Sequence, residues 1–123
     1  MAFLAQPTLS HKLLLINDVH LNLDSTEYYS TPGEETNIRT LNLVLSEAAK
    51  IEDDSSEPIE AILLIGDLNK HGLACRDFST PVEDTDWETM KLTMIEVITA
   101  IKTQFPTVPI LPVIGNNDVV YHD

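Results

Sequence analysis

Cysteine is all but missing from the sequence. Cys75 stands alone, so no disulfide can form within the chain, the redox compartment stays open, and the thiol reads as a half-buried structural group. Basic side chains are scarce as well. The 7 Lys and Arg face 20 Asp and Glu, a formal net charge of −13, which leaves no electrostatic footprint for nucleic acid or an anionic membrane surface. Long apolar runs are absent: the stretch from Leu13 to Ile16 is far too short to span a bilayer. The residues before it lack a basic start and are interrupted by Gln6 and Pro7, which makes a poor secretory signal and assigns no compartment. There is no internal repeat, no low-complexity tract and no interdomain linker.

With 43% apolar residues, 123 residues can bury one core, so residues 1–123 are expected to form a single domain or part of one. Three short apolar runs, KLLLIN (12–17), AILLI (61–65) and PILPVI (109–114), are each followed at once by polar residues. Such runs suit strands buried on both faces of a parallel sheet. Pro109 and Pro112 then have to sit at the start of the third strand or in a bulge.

Between the first two runs, Ile38, Leu41, Leu45 and Ala48 recur at helical spacing and predict a helix over 36–51. Thr31, Pro32 and Glu34 also read as a capping box, which would start that helix a turn or more earlier. The acidic stretch IEDDSSEPIE (51–60) makes a solvated loop. A second helix is predicted by the Thr85 and Glu88 capping box and by a stripe of Trp87, Met90, Met94, Val97, Ile98, Ile101 and Phe105, ended by Pro106. The order is βαβαβ, and right-handed crossovers make this an α/β fold with a mainly parallel sheet and flanking helices. A complete α/β domain adds further strands, so the chain is expected to be the N-terminal part of a larger, truncated one.

Ligands of open α/β sheets gather beyond the carboxyl ends of the strands. There the chain carries NDVHLNLD, GDLNKHG and GNNDVVYHD. Asp18 and His20 are two apart on a segment leaving the sheet, and in extended backbone that spacing puts both side chains on one face. Carboxylate with imidazole suits zinc, manganese or iron better than magnesium or calcium. Gly66 and Gly115 free the backbone to turn sharply before Asp67 and Asn116. Taken singly, each motif is an ordinary turn after a strand. Their recurrence at the same end of three strands points to one site. No GxGxxG follows the first run, and acidic side chains would meet a pyrophosphate where bare amides are needed, which argues against a dinucleotide fold.

On these residues the chain resembles the calcineurin-like metallophosphoesterase superfamily, whose first motifs are DxH, GD and GNH followed by an acid. Here they read Asp18-Val19-His20, Gly66-Asp67 and Gly115-Asn116-Asn117-Asp118. His71 four residues after Asp67, Asp24 and Tyr28 after His20, and the GNND variant followed by Tyr121 and His122 resemble the acid sphingomyelinase-like phosphodiesterases and endopolyphosphatases. Relatives of that branch are secreted, lysosomal or vacuolar. The resemblance implies the βαβαβ portion of an α/β sandwich and two divalent metal ions: zinc, or else manganese or iron. Asp18 and His20 would bind the first ion, Asp67 would bridge both, and Asn116 would bind the second, with His71 facing the substrate phosphate. The later family motifs, including a GHxH, have no counterpart before Asp123.

Two metal ions roughly 4 Å apart can activate a bridging hydroxide for in-line attack and clamp the phosphoryl oxygens. Bound ions also supply the positive charge that an anionic substrate needs and this acidic chain lacks. At Asn117 much of the superfamily has a histidine proposed to protonate the leaving group. An amide can hydrogen-bond a phosphate oxygen but is no general acid near neutral pH. The expected substrates are therefore small phosphodiesters or phosphoanhydrides with good leaving groups. The acidic balance ranks a long polyphosphate behind a sphingomyelinase-like substrate. The competing expectation is a non-catalytic α/β fragment or regulatory domain that keeps part of the metal site. His71 has a plain alternative as an exposed loop imidazole.

Overall fold

The computed structural model describes residues 12–53, 57–73 and 84–119. Gln6, Pro7, Cys75, Tyr121 and His122 lie outside the described residues. Strand β1 (Lys12–Asn17), helix α1 (Ile38–Asp53), strand β2 (Ile59–Ile65), helix α2 (Asp84–Gln104) and strand β3 (Ile110–Val113) follow in that order, and a single turn of 3₁₀ helix, η1 (Asn116–Asp118), follows β3. The strands form one parallel sheet in the order β1-β2-β3, with Leu14 opposite Ile62 and Leu64 opposite Pro112. The described residues thus form an α/β protein with a three-stranded parallel sheet and two helices. None of the helices is long and apolar enough to cross a membrane among the described residues.

Both helices cover the same face of the sheet and touch each other there. Two crossovers of one hand that step along the sheet in one direction produce this arrangement. The core joins Ile62 and Leu64 of β2 to Leu41 and Leu45 of α1 and to Val97, Ala100 and Ile101 of α2, with Phe105 closing one end. Burying each such Leu, Ile or Phe contributes about 1.5–3 kcal/mol. The strands are not buried on both faces as their unbroken apolar character suggests. Leu13, Leu15, Ile65, Leu111 and Val113, which alternate with the core residues, are exposed on the far face. A short all-apolar run has no polar partner in its alternation to mark which face stays open.

Pro112 sits inside β3, and no bulge interrupts its pairing with β2. As an edge strand, β3 needs backbone donors on one side only, so the missing N–H is tolerated. Helix α1 starts at Ile38 because Asn37 caps it, its Oδ1 accepting from the Thr40 amide at 2.9 Å. Thr31 and Glu34 form a turn, with the Glu34 amide donating to the Thr31 carbonyl, and do not cap a helix. Helix α2 already includes Asp84, so Thr85 lies within its first turn. Its buried face also differs from the expected stripe: Trp87 and Ile98 are 52% and 39% exposed, while Thr93 and Ala100 are buried. The Thr93 hydroxyl donates to the Thr89 carbonyl at 2.9 Å, and that internal bond lets a polar residue face the core.

Candidate metal centre

The loops that leave β1 and β2 stay paired beyond the strands. The His20 amide donates to the Asp67 carbonyl at 2.9 Å and the Leu21 amide to the Leu68 carbonyl at 2.8 Å. Leu21 also bridges to Asn69 on one side and to Thr36 on the other. The buried side chains of Val19 and Leu21 anchor this segment in the core on either side of His20.

Asp18, His20 and Asp67 are the only non-glycine residues with positive φ among the described residues, at 50°, 42° and 51°. Extended alternation therefore does not bring Asp18 and His20 together, contrary to the expectation from their spacing. A left-handed turn at each does, placing His20 Nε2 3.7 Å from Asp18 Oδ1. Left-handed backbone is disfavoured for residues with a Cβ, less so for Asp and His, and such conformations concentrate at functional sites. Ligand-capable atoms of Asp18, His20 and Asp67 all lie within 4.8 Å of one another.

Hydrogen bonds set the donor atoms. His20 Nδ1 lies 3.2 Å from the Asn69 carbonyl, which can only accept, so Nδ1 carries the proton and Nε2 turns its lone pair toward Asp18. Asp67 Oδ1 accepts from the Asn117 amide at 3.0 Å, and Asp18 Oδ2 contacts the Asn17 side-chain amide. The donor set of two carboxylates and one oriented imidazole fits a divalent transition ion.

The remaining candidates behave differently. Asn116 opens η1 at the same end of the sheet and is exposed, and its side chain makes no hydrogen bond among the described residues. The Asn117 side chain is buried, and its backbone meets the cluster by holding Asp67. His71 is exposed and stacks on His20 with ring centroids 4.0 Å apart and planes 16° apart. Tyr28 is exposed and packs under the Arg39 guanidinium, 4.8 Å from its ring centroid. Asp24 forms an ion pair of 2.7 Å with Lys70.

The two glycines serve one close approach. Gly66, at φ 60°, lies so near the backbone of Gly115 that a Cβ would overlap it, and a Cβ on Gly115 would fall on the Asp67 amide and carboxylate. Gly115 itself has φ −90°, which any residue adopts, so its smallness makes room for Asp67 and no sharp turn requires it.

Three residues that bear on the site were not read from the sequence. Buried Asp118 accepts from the amides of Leu68 (2.8 Å), Asn69 (3.1 Å) and Gly115 (3.0 Å) and from Asn69 Nδ2 (3.0 Å), binding the β2 and β3 loops together. Its place in GNND was the only signal. Asn69 orients His20. Glu35, on the loop before α1, reaches His71, its Oε1 accepting from the His71 amide at 3.0 Å and lying 2.7 Å from His71 Nδ1. Fold and site thus define an α/β protein with a metal-capable cluster at the carboxyl end of its parallel sheet. Comparison of the chain with family models, curated proteins and solved structures finds no match.

Proposed function

We propose that the chain carries part of a binuclear-metal phosphoesterase centre of the calcineurin-like kind, acting on a small phosphodiester or phosphoanhydride. The observation that supports it most is the convergence of Asp18, His20 and Asp67, each held on left-handed backbone at the carboxyl end of neighbouring parallel strands.

In this reading Asp18 and His20 hold one ion, Asp67 faces both, and exposed Asn116 offers a neutral oxygen for the second. Bound divalent ions supply Lewis acidity toward phosphoryl oxygens and lower the pKa of bound water. The protein's own part is orientation. The Asn69 carbonyl keeps the His20 lone pair on Nε2, and the Asn117 amide occupies Asp67 Oδ1, which directs the remaining carboxylate capacity outward. His71 and Lys70 stand beside a cleft of about 710 Å³ that His20, Asp24 and Glu35 help line, where a phosphate group would enter.

The test is hydrolysis of bis(p-nitrophenyl) phosphate by the full chain with Mn²⁺ or Zn²⁺. The expected result is turnover abolished by EDTA and lowered at least about 100-fold in kcat/KM by Asp67→Asn. Turnover indifferent to EDTA or to Asp67→Asn would sink the proposal. Metal binding without turnover would favour the second reading, a metal-holding domain that is catalytically incomplete.

A further inference from the structure

The geometry points to a second metal site, built from His20, Glu35 and His71, that takes a single zinc-class divalent ion. Ligand-capable atoms of these three side chains lie within 4.8 Å of one another. Tetrahedral zinc with bonds of about 2.0–2.2 Å needs its ligands roughly 3.3 Å apart. Atoms as far apart as 4.8 Å therefore have to close by up to about 1.5 Å, and His71, which stacks on His20 and hydrogen-bonds Glu35, has to swing out of that stack to turn a lone pair to the ion, a rotation for which its exposed side chain has room.

Glu35 carries the argument. Its Oε1 is engaged by the His71 backbone and ring, but its Oε2 is buried and has no hydrogen-bond partner. An unpaired buried carboxylate oxygen is costly, and a cation removes that cost. The loop is not there by chance: the Thr36 amide donates to the His20 carbonyl at 3.1 Å and the Asn22 amide to the Thr36 carbonyl at 2.7 Å, which fixes Glu35 beside the two histidines. The site opens into the cleft, so positions on the ion remain for water or a ligand.

Two imidazoles and one carboxylate form a donor set for zinc, cobalt or ferrous ion in preference to magnesium or calcium. The Asp18–His20–Asp67 cluster offers one imidazole, and one of its carboxylate oxygens is already engaged by the Asn117 amide. An imidazole has one lone pair to give, so the two clusters compete for His20, and nitrogen donors direct the first zinc to Glu35 and His71. This inference shares His20 with the phosphoesterase reading but does not depend on hydrolysis.

Calorimetric titration of the full chain with ZnCl₂, and with CoCl₂ read by visible absorption, tests it. Glu35→Gln and His71→Ala are each expected to weaken the first equivalent at least about tenfold, whereas Asp18→Asn and Asp67→Asn change it less than about twofold. His71→Cys, which keeps a zinc donor, is expected to retain binding, and circular dichroism checks that each variant is folded. Wild-type affinity in both Glu35→Gln and His71→Ala, or loss of binding in Asp18→Asn and Asp67→Asn alone, overturns the site. Because these readouts are binding constants, a chain that hydrolyses nothing leaves the inference intact, and loss of hydrolysis in Asp67→Asn with zinc binding unchanged separates the two proposals.

Discussion

Asp118 accepts four hydrogen bonds from three residues between the β2 and β3 loops, three of them buried and the one from Gly115 half-buried. Removing the carboxylate strands the amides of Leu68, Asn69 and Gly115 and the Asn69 side chain, and each buried donor left unpaired costs about 1–3 kcal/mol. Water entering the gap recovers part of this, so Asp118→Ala is expected to lower unfolding free energy by about 3–5 kcal/mol in urea titration. A loss under about 1 kcal/mol would show that the two loops hold together without it. At this scale the sequence was informative where chemistry is local to a motif. Asp18, His20 and Asp67 were legible because metal-capable residues followed strand after strand. Glu35 was not, because it stands 36 positions from His71 and only the pairing of Thr36 with Leu21 brings them together.

For the elements, helix α2 offers the sharper test. Its apolar residues are too many to define one stripe, since Leu92, Ile95 and Ile98 face outward while Val97 and Ile101 are fully buried. Ile101→Ala is expected to cost about 2–5 kcal/mol through the lost contacts and the cavity it leaves. Ile98→Ala should cost under about 1 kcal/mol, because an exposed side chain loses little on truncation. Equal costs in urea titration would mean that the helix is rotated from the face described. The strands were read correctly as elements from their short apolar runs, and α1 to within two residues at each end. Its start was decided by Asn37, whose cap needs the Thr40 amide three residues on, and the competing Thr31 and Glu34 pattern closed only a turn.

At the scale of the whole molecule, the described residues have one sheet face packed under two helices and the other open, with Leu13, Leu15, Ile65, Leu111 and Val113 exposed along the three strands. An apolar patch of that extent binds hydrophobic dyes. The chain is expected to enhance ANS fluorescence in its folded state, and Leu15→Lys combined with Val113→Lys should reduce the signal without shifting the urea midpoint. A reduced midpoint with unchanged dye binding would place those side chains inside the core. By itself the sequence determined the βαβαβ order, the parallel sheet and the end of it where metal-capable side chains collect. Those follow from apolar periodicity and from which residues come directly after a strand, and both are properties of neighbours in the chain. Tertiary structure alone decided which sheet face is covered, how left-handed turns aim Asp18, His20 and Asp67, and that Glu35 meets His71. Each of those depends on backbone pairing between segments far apart in sequence, and no local pattern records that pairing.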